Sequence, residues 1–336
     1  MSERTRLLVS GTRDVSMNPY QQVMLMRKRA GRVITHYWAK TVAVFRGREF
    51  FAEFLATFVL VLFGDGAIAQ AVLSGSADRG EVMTINVGWA VGVMMGAYVS
   101  IGITGGHMNP AVTFAMALRG KLSWLKVIPY WVAQYLGAFV ASVVLYGTYI
   151  DALHNFTGAD NPHCNASDTF TPLCTGRIWA TYPQPFLSLA NGFLDQVVGT
   201  FLLVLGIFAI CDSSNSEPQG GMKPLLIGFL LWGVGGSFMW NSGYAVNPAR
   251  DFAPRVFTAI AGWGADVFVC SNCGLIRHWW WVPLVAPMVG GAIAGWVYWF
   301  FIDAHHSYQR PEDEGTYSSL NANSPPRLTE QKHSLH

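Results

Sequence analysis

The chain has 336 residues, 51% hydrophobic and only 12% charged, with 22 Lys and Arg against 20 Asp and Glu. So little charge cannot clothe a soluble protein of this size, so the expected solvent is a lipid bilayer. A net charge of +2 gives no sign of a nucleic-acid partner.

Ten basic residues between Arg4 and Arg48 precede the first apolar stretch, opposed by Glu3, Asp14 and Glu49. By the positive-inside rule this end stays cytoplasmic. It lacks the apolar core and small-residue cleavage site of a secretory signal, so the first span is expected to direct insertion itself. Residues 1–48 read as a basic, mostly disordered tail. Apolar stretches long enough to cross as helices follow at 50–73, 82–101, 124–150, 188–211, 224–240 and 279–302. The membrane domain then covers 49–303, as one repeat over 49–150, an external loop over 151–187 and a second repeat over 188–303. Residues 304–336 form a second disordered cytoplasmic tail.

The external loop carries two glycosylation sequons, at Asn155 and Asn165. Cys164, Cys174, Cys270 and Cys273 also fall outside, with Cys211 near the cytoplasmic face. Compartment permits pairing of Cys164 with Cys174, or of either with Cys270 or Cys273, and the pairing stays open. The Cys270/Cys273 pair has no partnering His or second pair, so neither metal nor cofactor is expected.

A repeat organises the rest. Thr104-Gly105-Gly106-His107-Met108-Asn109-Pro110-Ala111 recurs 138 positions on (247 − 109) as Ser242-Gly243-Tyr244-Ala245-Val246-Asn247-Pro248-Ala249. Ahead of each block, the stretch from Glu53 to Phe58 resembles that from Gln196 to Phe201. Each half holds three spans, an odd number, so the second half enters from the opposite face. Asn is a preferred N-cap, and Pro tolerates the first helical position. Each block therefore opens a short helix, Pro110–Leu118 and Pro248–Thr258, too short to cross. The fold class expected is an all-α membrane protein with six transmembrane helices and two re-entrant half-helices in an inverted 3+3 repeat. Half-helices meeting N-terminus to N-terminus put two positive dipole ends at mid-membrane, where irregular backbone is tolerated only along a water-filled path.

On these motifs, from about Glu49 to Asp303, the chain resembles the major intrinsic proteins, the aquaporin and glycerol-facilitator family. The resemblance implies an aquaporin-like fold with one pore per protomer and a homotetramer. It implies that Asn109 and Asn247 donate hydrogen bonds to the passing molecule. Carbonyls from Gly105 to Met108 and from Gly243 through Ala245 to Val246 would accept them, with His107 lining the pore. A second constriction, by the same resemblance, falls on Trp89, Gly235, Tyr244 and Arg250.

Arg250, one turn into its half-helix, offers rigid donors and repels cations. Trp89 and Tyr244 would supply aromatic surface opposite it, and Gly235 an empty fourth side with room for a three-carbon solute. Asp251, Arg255, Pro283-Leu284 and the stretch 261–279 are similar to the glycerol-conducting branch. Tyr244 departs from the Phe of the bacterial facilitator. Glu53 and Gln196, with Asp195 beside the latter, are expected to brace the loop carbonyls.

The reading is a passive channel for glycerol and water that excludes ions and protons, in the plasma membrane with both termini cytoplasmic. Passage of urea and other small neutral solutes is left open. A strict water channel is the runner-up. An ion-coupled transporter is a weaker alternative, since the acids that stand out, Glu53 and Asp195, sit on spans rather than at the break. No nucleophile–base set or phosphate loop suggests an enzyme.

Overall fold

The computed structural model describes residues 47–74, 81–157, 175–219, 221–269 and 278–306. Residues 47–48 and 304–306, expected in the disordered tails, are helical; the rest of both tails, the Asn165 sequon and Cys164, Cys174, Cys270 and Cys273 lie outside the described residues. The chain divides after residue 51. The described part of the first unit is the first turn of α1, and the unit from Ala52 onward holds all the other described residues.

The described residues are helical with connecting turns. In chain order the main helices are α1 (Gly47–Leu73), α2 (Glu81–Thr104), α3 (Pro110–Leu118), α4 (Trp124–Thr157), α5 (Leu189–Cys211), α6 (Met222–Ser242), α7 (Pro248–Thr258) and α8 (Val282–Tyr298). The last extends at both ends through tighter and wider turns, giving one apolar run from Trp279 to His306. Among the described residues, six helices are long and apolar enough to cross a membrane; α3 and α7 are not among them.

α3 and α7 begin where their sequence says they should. Asn109 Oδ1 accepts from the Ala111 N–H at 2.9 Å, with Pro110 at the first helical position. Asn247 Oδ1 accepts from Ala249 at 3.0 Å and Arg250 at 3.3 Å, with Pro248 following. At 9 and 11 residues, and ~1.5 Å of rise each, neither reaches across ~30 Å of hydrocarbon. The spans end less legibly. α4 runs to Thr157, so residues 151–157, expected in the loop, are helical. Leu153 and Thr157 are buried there, and the Thr157 hydroxyl donates to the Leu153 carbonyl at 3.0 Å.

The body is apolar outside and polar at selected points within. Leu125, Ile128, Phe229, Trp240 and Phe301 are exposed, whereas Glu53, Gln134, Gln196, Asp251 and Arg255 are buried. Lipid offers no hydrophobic drive between spans, so small residues admit close backbone approach. The two halves do this alike. A Cβ on Gly137 of α4 would fall 2.3 Å from the Phe54 carbonyl oxygen of α1. On Gly290 of α8 it would fall 2.3 Å from the Val197 carbonyl oxygen of α5. α3 packs on α8 and α4, α7 on α4 and α8, and α2 crosses α6.

Candidate pore and its two constrictions

The loops before α3 and α7 are held open by side chains from α1 and α5. Glu53 Oε1 accepts from the His107 N–H at 3.0 Å and Oε2 from the Met108 N–H at 2.8 Å. The Thr104 hydroxyl and, at 2.8 Å, Gln134 Nε2 complete its set. Gln196 stands in the matching place: Oε1 accepts from the Val246 N–H at 3.0 Å, and Nε2 donates to the Ser242 hydroxyl at 2.6 Å. Asp195 accepts from that hydroxyl and from Asn241. The expected bracing of carbonyls therefore runs instead to the N–H groups. Tying N–H groups into the protein leaves the carbonyls of the same peptides free to turn elsewhere.

That geometry requires backbone that side chains resist. Met108 has φ 51°, Val246 φ 43° and Tyr244 φ 38°, all left-handed, as are Gly105 and Gly106. Such residues persist only where surrounding bonds over-determine them, and here the carboxylate of Glu53 and the amide of Gln196 do so.

At the junction each Asn reaches across to the other loop. Asn109 Nδ2 donates to the Val246 carbonyl at 2.9 Å, and Asn247 Nδ2 to the Met108 carbonyl at 2.8 Å. A side-chain amide has two N–H donors, so each Asn keeps one. One cavity takes in this junction, and its lining includes Ile207 and Cys211 as well as Trp89 and Arg250. Part of the lining is apolar, including Leu60, Val93, Val112, Leu203, Ile227 and Leu231. The two loops supply another part: Gly105, Gly106, His107, Met108 and Asn109, then Tyr244, Ala245, Val246 and Asn247. His107 Nδ1 lies 3.1 Å from the Thr113 hydroxyl. Pro110, Ala111, Pro248 and Ala249 lie in the first turns of the half-helices and are not on the wall.

Two expected wall residues are elsewhere. Gly243 is the C-cap of α6 at φ 77°, and a Cβ there would meet Thr181 Cγ2 at 3.2 Å. Gly235 does not face open space. A Cβ on it would fall 2.1 Å from Asn86 Oδ1 and 2.8 Å from the Tyr244 ring. The fourth side is thus occupied by Tyr244, which fits only because position 235 has no side chain.

The outer constriction also differs in its arrangement. The sequence reading sets Trp89 opposite Arg250; instead the guanidinium lies against the indole face, 4.3 Å from the ring centroid. The two make one wall, and Arg250 Nη1 reaches the Trp179 carbonyl at 3.4 Å. Behind it, Asp251 and Arg255 form a fully buried pair at 2.9 Å. Asp251 accepts from the Thr181 N–H at 2.8 Å, while Arg255 donates to the carbonyls of Thr181 and Val267 at 2.6 and 2.8 Å. Tyr182 stacks on Arg255 at 4.5 Å, and burial pushes its phenol up to about 12, so it stays neutral. The pair pins α7 to the loop after α4.

Trp179, Thr181, Asn86, Gln134 and Asp65 are not singled out by the sequence reading. The first two act mostly through backbone, which carries no residue signature. Asp65 has one: an acid inside an apolar helix.

A model of the major intrinsic protein family matches residues 39–298. Human aquaporin-9 is 43% identical over 283 residues, covering 84% of this chain and 90% of its own. Human aquaporin-10 is 44% identical over 259 residues, covering 77% and 82%. The X-ray structure of the aquaglyceroporin from Plasmodium falciparum superposes with a TM-score of 0.67 at 31% identity, covering 77% of this chain and 98% of that one. With its six apolar helices and paired half-helices, this multi-pass membrane protein belongs to the major intrinsic protein family, in its aquaglyceroporin branch.

Proposed function

We propose that this protein is a passive channel for glycerol and water, not an enzyme. The observation that carries the reading is a cavity whose lining combines apolar side chains with the two polar loops and Arg250. A polyol can keep its hydroxyls on the loop carbonyls, the spare Asn donors and Arg250 while its carbons pass along Leu203, Ile227 and Leu231. Stripping hydroxyls of water costs several kcal/mol where no partner replaces it, and this lining supplies partners along the path. Likeness to aquaporin-9, aquaporin-10 and an aquaglyceroporin supports the same solute class.

Finer points rest on the same reading. Ions and protons are excluded by Arg250 together with the two helix N-termini at the Asn junction. Urea and other small neutral solutes of similar width share the path. The basic stretch between Arg4 and Arg48 supports cytoplasmic termini, with the Arg250 end external, in the plasma membrane. The resemblance to the family supports a homotetramer, and the sequons support a glycosylated external loop. Stopped-flow swelling of proteoliposomes in glycerol and in sucrose gradients tests the core claim. Both permeabilities should exceed those of protein-free vesicles and be unaffected by collapsing ion gradients. Glycerol flux at the protein-free level would refute it.

A further inference from the structure

α1 carries an acid that takes no part in the pore wall. Asp65 sits in Gly64-Asp65-Gly66 within the apolar helix, wholly buried and off the cavity. Neither of its carboxylate oxygens accepts a hydrogen bond from a described residue. The other acids buried in the body are tied down: Glu53 accepts four bonds, and Asp251 holds Arg255 and Thr181. Asp65 has instead a charge in front of it. Its Oδ1 is 3.9 Å from Arg250 Nη1, with both side chains buried.

From the side of Arg250 the restraints are few. They are the Trp179 carbonyl at 3.4 Å, the Trp89 face at 4.3 Å and Asp65 at 3.9 Å. Gly64, next to Asp65, admits the indole: a Cβ there would fall 2.3 Å from the Trp89 ring. Consecutive residues of α1 thus serve the outer constriction, one seating Trp89 and the next opposing Arg250. Attraction between buried charges is weakly screened and acts beyond hydrogen-bond reach. A guanidinium with that charge behind it is pulled from the lumen; without it, the flexible side chain can swing toward solute oxygens.

We propose that Asp65 is a specificity-determining residue: a buried counter-charge that draws Arg250 back against α1 and Trp89 and so sets the free width of the outer constriction. The inference rests on the glycerol-channel reading.

The test is a double-mutant cycle on permeability, at matched membrane abundance in proteoliposomes. Asp65→Asn keeps the volume and removes the charge. Glycerol permeability should fall about five- to tenfold and water permeability less than about twofold, since the wider solute feels the intruding guanidinium first. Asp65→Leu, which leaves an apolar side chain in the buried site, should show the same shift in ratio. In an Arg250→Val background neither Asp65 substitution should change the ratio. A ratio unchanged in both Asp65 variants, or lowered equally with and without Arg250, would overturn the proposal. Wild-type vesicles that pass water but not glycerol would instead sink the functional reading, and the inference with it.

Discussion

Asn109 and Asn247 complete each other's loops: Asn109 donates to the Val246 carbonyl, one residue ahead of Asn247, and Asn247 to the Met108 carbonyl, one ahead of Asn109. Each side chain thus caps its own half-helix with Oδ1, ties the opposite loop with one N–H and keeps one donor in hand.

Replacing Asn247 with Asp should therefore do more than remove a solute contact. The carboxylate still caps α7, but it cannot donate to Met108 and brings a negative charge to two positive helix ends. Glycerol flux should fall about tenfold or more, corresponding to at least ~1.4 kcal/mol of added barrier. Potassium leak, read with a potential-sensitive dye, should rise above wild type. Unchanged potassium leak would mean that the helix ends do not contribute to ion exclusion.

Gly235→Ala is expected to act through Tyr244. The added methyl cannot fit beside Asn86 Oδ1, 2.1 Å away, without moving the Tyr244 ring as well. Glycerol permeability should drop more than water permeability, by about threefold to tenfold in ratio. Pairing it with Tyr244→Ala should recover much of the loss. Equal proportional losses of both solutes would separate Gly235 from the constriction.

Arg255→Lys should show what pins α7. A lysine ammonium cannot reach Asp251, Thr181 and Val267 together, and the buried carboxylate would be left short of partners. The cost is on the order of 3 kcal/mol, visible as a lower melting temperature in detergent. Removing both charges, Asp251→Leu with Arg255→Leu, should cost less than Arg255→Leu alone. A double variant less stable than Arg255→Leu would argue against the ion pair as the reason.

The two sequons are not equivalent. Asn155 is exposed in the last turn of α4, but Thr157, the other half of its signal, is buried and bonded to Leu153. Asn165→Gln alone should abolish a glycosidase-sensitive mass shift, and Asn155→Gln should leave it. The reverse result would mean that α4 unwinds near Thr157 when the sugar is added.

Legibility follows the kind of signal involved. The half-helices can be bounded from sequence because an Asn cap and a Pro at the first position are local. The pairing of Glu53 with Gln196 is visible as a repeat, though not that both bind N–H groups. The end of α4 is hidden because Asp151 looks like the edge of the bilayer, while Leu153 and Thr157 continue the packed face. The sequence puts Gly235 at the outer constriction with empty space beside it, since no sequence shows which neighbour will fill a missing side chain. Trp179 and Thr181 lie about seventy residues before the arginines they hold, and they use backbone atoms to do it.

The seating of α3 and α7 gives the order of synthesis a consequence. Each half-helix rests on the third span of its own repeat and on that of the other. When α7 leaves the ribosome, α4 is already in the membrane to receive it. α3 has no such luck: its second support, α8, is made only after α4, α5, α6 and α7. The first re-entrant loop must therefore wait, half supported and with the Met108 carbonyl lacking Asn247, through the insertion of three further elements. Two halves alike in the finished channel are unlike in their history, and substitutions that weaken α3 should harm biogenesis more than matching ones in α7.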